Sequence, residues 1–150
     1  MNRRSVIRLL AALPTLIAGS AVAAGPSVHV FKNPDCGCCS LWVKHLEAAG
    51  FGVNVTNVTD TAAMRQRFGM PEKYGGCHTA TVEGYVIEGH VPAPDIRRLL
   101  AERPAAIGLS VPGMPVGSPG MEVGNRVDAY DVLIVNHAGG ATVFSRYPAR

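Results

Sequence analysis

Long apolar stretches are scarce in this chain. The most apolar run, Leu9 to Ala24, is broken by Pro14, Gly19 and Ser20, whereas a helix that spans a bilayer needs about 20 apolar residues in succession. No internal repeat and no low-complexity tract is present. The phosphate-cradling pattern G-x-x-x-x-G-K-[ST] is missing, as are H-E-x-x-H and G-x-S-x-G. The glycines between residues 113 and 124 lack a following lysine, which excludes phosphate binding of that kind.

An excess of positive charge is also lacking once the N-terminus is considered. Arg3, Arg4 and Arg8, the apolar run and the small residues Ala21-Val22-Ala23-Ala24 predict a secretory signal peptide over residues 1–24. Cleavage falls after Ala23 or Ala24. The competing reading is an N-terminal membrane anchor. Arg3-Arg4 ahead of Val6 and Ile7 leaves the general and twin-arginine export routes both open. Removing those three arginines from the fourteen basic residues leaves eleven to face eleven acidic ones. A near-neutral mature chain has no basic stripe for nucleic acid and no polybasic patch for anionic lipid.

The mature chain, residues 25–150, holds about 126 residues, enough for one domain with a real core and no need of disulfide staples. Ser27-Val28-His29-Val30-Phe31 alternates like a strand, and Lys32-Asn33-Pro34-Asp35 is a turn. Trp42, Leu46 and Ala49 fall at helical spacing, with Gly50 as a stop. Val53, Val55 and Val58 predict a second strand. Asp60 caps a short helix carrying Met64 and Phe68, ended by Gly69 and Pro71. Thr79–Val82 and Tyr85–Ile87 flank a Glu83-Gly84 hairpin turn. Pro94 opens a helix with Ile96, Leu99 and Leu100, closed by Pro104. This order predicts an α/β fold: a single thioredoxin-like domain. A Gly/Pro-rich loop from Val111 to Gly124 and a C-terminal β-hairpin, Asp131–Val135 with Ala141–Phe144, are added to it.

The cysteines therefore call for chemistry. Cys36-Gly37-Cys38-Cys39 follows a strand and opens a helix, where free N–H groups and the helix dipole favour thiolates. A Cys36–Cys39 bridge matches C-x-x-C redox spacing, but leaves Cys38 alone unless it meets Cys77; four cysteines allow three pairings. Crowded thiolates select soft ions, monovalent copper above all, with zinc as competitor. Zinc sites space their cysteines in separated pairs, unlike this triplet. Metal binding, thiol exchange and structural disulfides all remain open at this point.

Cys77, at the start of the third strand, is the fourth sulfur of the predicted cage, against the reading of a small buried core cysteine. His78 takes the place where a thioredoxin carries its cis-proline, which argues against general disulfide exchange. His78 is the first candidate among the histidines for a metal ligand and His90 the second; a hydrogen-bonded structural role competes for both. His29, His45 and His137 read as surface or strand residues. Met114 and Met121 offer thioethers from the Gly/Pro loop, with packing as the alternative. Trp42 is expected to pack beneath the site.

Together, Pro34-x-Cys36-Gly37-Cys38-Cys39-x-x-Trp42, Cys77-His78-Thr79-Ala80, Glu88-Gly89-His90-Val91-Pro92 and Pro112-Gly113-Met114-Pro115-x-Gly117-Ser118-Pro119-Gly120-Met121-Glu122 resemble the CopG-type copper-resistance family over nearly the whole mature chain. Gly76 departs from the serine that many relatives carry. The resemblance implies a periplasmic protein that takes up several copper(I) ions through Cys36, Cys38, Cys39 and Cys77. His78, His90, Met114 and Met121 are then neighbours, and other periplasmic copper-handling proteins are the implied partners. An enzyme reading stands beside it, in which Cys36 and Cys39 carry thiol–disulfide exchange or copper(II) reduction.

Overall fold

The structure, a computed structural model, describes residues 25–150. The predicted signal peptide lies outside the described residues. The chain forms one α/β unit around a seven-stranded sheet of order β2-β1-β3-β4-β5-β6-β7. Its elements are β1 (Ser27–Lys32), α1 (Gly37–Ala48), β2 (Gly52–Asn57), α2 (Thr61–Arg67), β3 (Thr79–Val82), β4 (Tyr85–Glu88), α3 (Ala93–Glu102), β5 (Gly108–Ser110), β6 (Tyr130–Val135) and β7 (Ala141–Tyr147). The expected order of strand, helix, strand, short helix, hairpin, helix is present.

Local chemistry accounts for most of these elements. Asp60 caps α2, its carboxylate accepting from the Ala63 N–H at 2.9 Å. Glu83 and Gly84 both take positive φ, 45° and 89°, as a two-residue hairpin turn matched to strand twist requires. That turn sets Val82 opposite Tyr85 and Thr79 opposite Glu88.

Two apolar clusters hold the sheet. The larger joins Val28, Val30, Ala80 and Ile87 to Trp42 and Leu46 of α1 and Ile96 and Leu99 of α3. Val86 belongs to the smaller cluster, with Met70 and Val135. Neighbours on a strand point to opposite faces, so Ile87 and Val86 place the clusters on opposite sides of the sheet. Trp42 and Leu46 are fully buried; at about 1.5–3 kcal/mol each, they fix α1 on the sheet and so fix where its N-terminus lies.

Two features differ from expectation. β5, only three residues long, pairs parallel with β4 and antiparallel with β6. It links the predicted terminal hairpin into the sheet. α2 buries an arginine, Arg65, where Met64 and Phe68 were the expected contact residues and are only partly buried.

Candidate metal centre

Sheet register brings the chemistry to one place. β1 and β3 pair antiparallel, with Phe31 opposite Thr79, so the turn that leads from β1 into α1 begins beside Cys77 and His78. The β3–β4 register, extended outward from Thr79 and Glu88, sets Cys77 opposite His90; the Gly89 N–H donating to the His78 carbonyl at 2.9 Å marks this extension. Four sulfurs and two imidazoles thus meet where two strand ends and a helix N-terminus converge.

Cys36 is the N-cap of α1, and its sulfur accepts from the Cys39 N–H at 3.4 Å. Cys36 and Cys39 form a disulfide, while Cys38 and Cys77 are free. Of the three possible pairings the structure selects the C-x-x-C bridge. The Cys38 sulfur lies 3.5 Å from that of Cys36 and 4.0 Å from that of Cys77, which is itself 3.5 Å from that of Cys39. All four sulfurs lie within 4.8 Å of one another. Three sulfurs bound at roughly 2.3 Å around one trigonal ion would stand about 4.0 Å apart, so the spacing suits a shared metal once the bridge is reduced.

A second group overlaps the first at Cys77, whose sulfur is 2.9 Å from His90 Nε2 and 3.5 Å from His78 Nδ1. His90 Nδ1 donates to the Pro119 carbonyl at 2.7 Å. A carbonyl can only accept, so the proton of the neutral ring sits on Nδ1 and Nε2 presents a lone pair. Burial, with the Cys38 thiol close by, pushes Cys77 up to about 12. In the metal-free protein Cys77 is therefore a thiol that donates to His90 Nε2. Burial, with His90 adding to it, drives His78 down to about 3. Its Nε2 is buried with no hydrogen-bond partner among the described residues. The sequence ranks His78 ahead of His90; in the structure His90 lies nearer the Cys77 sulfur.

The other predicted residues fall as follows. Trp42 lies under the site, its ring centroid 4.3 Å from that of His78 and its N–H donating to the Val91 carbonyl at 2.8 Å. Met114 is exposed and Met121 partly buried. His137 is exposed in the terminal hairpin turn, and His29 meets Thr56 on the strand surface. His45, expected at the surface, is half-buried on α1, and its Nε2 accepts from the Ala93 N–H at the start of α3. It joins two helices.

Sequence reasoning missed the support beneath Cys77. Glu88 is fully buried. One oxygen accepts from Arg65 Nε at 2.9 Å and the Gly76 N–H at 2.8 Å, the other from the Thr79 hydroxyl at 2.7 Å. Arg65 also donates to the Gly76 carbonyl at 3.0 Å and to Glu72 at 2.7 Å. Burial raises the Glu88 pKa while these donors oppose the rise. The signal was there: a lone carboxylate closing the apolar run Tyr85-Val86-Ile87.

Residues 74–121, which carry Cys77, His78, His90, Met114 and Met121, match a family model described as a protein of unknown function, DUF411. No curated protein matches the sequence. Two solved structures of copper resistance protein CopG, Form 2 and Form 1, are each 48% identical to this chain. The first covers 83% of this chain and 99% of its own, with a TM-score of 0.79; the second covers 81% and 97%, with 0.77. The chain belongs to the CopG family of copper-resistance proteins.

Proposed function

We propose that this is a periplasmic copper(I)-binding protein that holds several ions on Cys36, Cys38, Cys39 and Cys77. The observation that carries the reading is the mutual approach of all four sulfurs to within 4.8 Å. Soft thiolates select copper(I), which accepts two or three sulfurs and lets one sulfur bridge two ions. His90 joins Cys77 as an imidazole donor, and His78 lies beside it. The signal-like residues 1–24 support export, and no helix among the described residues is long and apolar enough to cross a membrane. The sheet order β2-β1-β3-β4, with the cysteine motif opening α1, supports the thioredoxin-like reading of the core. Met114 and Met121 serve as neighbours of the site, and other copper-handling proteins as its exchange partners. Elemental analysis of the protein purified from the periplasm without oxygen is expected to find copper above zinc. Zinc as the sole metal would overturn the reading.

The Cys36–Cys39 disulfide favours a second activity at the same site. Two thiolates can give one electron each to two copper(II) ions, yielding two copper(I) ions and the disulfide. The reduced protein mixed with copper(II) is then expected to form two copper(I) for each disulfide. Thiol loss without copper(I) formation would exclude it.

A further inference from the structure

The Gly/Pro loop invites a role for its methionines, but its backbone also meets the site directly. The Gly113 N–H donates to the Gly75 carbonyl at 3.0 Å, anchoring one end beside the segment that carries Cys77. At the other end, a Cβ on Gly120 would stand 2.7 Å from the Cys38 carbonyl oxygen, 2.8 Å from the Trp42 backbone nitrogen and 3.3 Å from His90 Nδ1. Gly120 also has φ +87°, a conformation that strains any other residue. The loop rests directly on the first turns of α1, at the cysteines.

Around Gly120 the loop is braced by its own hydrogen bonds. The buried Ser118 hydroxyl donates to the Pro115 carbonyl at 2.7 Å. The Met121 N–H donates to the Ser118 carbonyl at 2.8 Å, and the Gly117 N–H to the Met121 carbonyl at 2.9 Å. Glu122 accepts from the Gly120 N–H at 2.8 Å. The Pro119 carbonyl at the centre of this brace is the acceptor for His90 Nδ1–H.

We propose that the Ser118-Pro119-Gly120 turn, held by Glu122, is a positioning element. It keeps His90 in the Nδ1–H tautomer and aims the bare Nε2 at the Cys77 sulfur as a metal ligand. This rests on the copper reading above and gives the loop a task separate from thioether donation. Partners on the far nitrogen of a liganding histidine fix its ring and tautomer, and their loss typically costs about 10–100-fold in metal affinity.

The test pairs nitrogen NMR of the histidine rings in the reduced, metal-free protein with copper(I) competition titrations. Wild-type His90 is expected to carry its proton on Nδ1. Gly120→Ala, which lifts the turn, and Glu122→Ala, which unties it without steric conflict, are each expected to populate the Nε2–H tautomer. Both should also lower copper(I) affinity by about tenfold or more. Glu122→Gln keeps an acceptor for the Gly120 N–H and is expected to restore both readouts. Wild-type His90 protonated on Nε2 would overturn the proposal. So would a tautomer change without loss of affinity, or a loss of affinity with the tautomer unmoved in Glu122→Ala. If the wild type shows the Nδ1–H form yet takes up no copper(I), the copper reading fails instead, and with it the purpose assigned to the turn.

Discussion

Cys77 and His90 owe their meeting to the Glu83-Gly84 turn, because a two-residue hairpin leaves no freedom in the pairing further along. Cys77 touches both donor groups, the sulfurs of Cys38 and Cys39 and the nitrogens of His78 and His90. Cys77→Ser conserves volume and removes the shared sulfur. It is expected to fold normally and to lose copper stoichiometry in an anaerobic titration, whereas loss of a remote ligand would lower affinity alone. Arg65 makes a different prediction. Arg65→Met leaves the Glu88 carboxylate buried without its cation, a change that costs about 3–5 kcal/mol in comparable pairs. Urea denaturation should report a loss of that order, and loosening of Gly76 should weaken copper binding as well. An unchanged midpoint would mean that the ion pair does not stabilise the fold, and unchanged copper affinity that it does not steady Cys77.

Elements with strong periodicity were legible in the sequence. Alternating Val28 and Val30, the Trp42/Leu46 stripe, the Asp60 cap and the Glu83-Gly84 turn each state their structure locally. β5 was not legible, because three residues carry no period and exist as a strand only through β4 and β6. The Arg65–Glu88 pair and the His45 link to Ala93 are long-range choices that no local pattern announces. The four cysteines were legible as a set. The approach of His90 was recoverable only by counting outward from the hairpin turn. The Gly/Pro loop is legible through its methionines, whereas the approach of its backbone to Cys38, Trp42 and His90 is not. Replacing both Met114 and Met121 with leucine nearly conserves volume. The double variant is expected to keep its stoichiometry and near-normal affinity, with faster oxidation of the loaded protein in air. A large loss of affinity in a folded variant would make the thioethers ligands.

For the whole molecule, burial of imidazoles couples folding to pH. His78 is driven to about 3 by burial, and burial lowers His45 and His90 as well. Below about pH 6.5 the unfolded chain takes up protons that these native rings refuse, so stability falls as pH falls. For His78, whose shift is large, the slope approaches roughly 1.4 kcal/mol per pH unit. Glu88, raised by burial, acts in the opposite sense nearer its own range, so the trend is read between pH 7 and about 5.5. Urea midpoints of the metal-free protein with its Cys36–Cys39 bridge intact should drop across that interval; flat midpoints would contradict the buried neutral histidines. At the alkaline end Cys77, raised to about 12, favours the native thiol, and stability should fall as pH climbs past about 9.

One architecture supplies both halves of the proposed function, a disulfide on α1 when oxidised and a sulfur cage when reduced. The most direct measurement is an anaerobic titration of the reduced mature protein with copper(I) against a competing chelator, repeated with zinc. Four sulfurs within 4.8 Å of one another predict saturation above one copper(I) per chain, with zinc held more weakly. Saturation at or below one equivalent, with zinc held equally well, would contradict it.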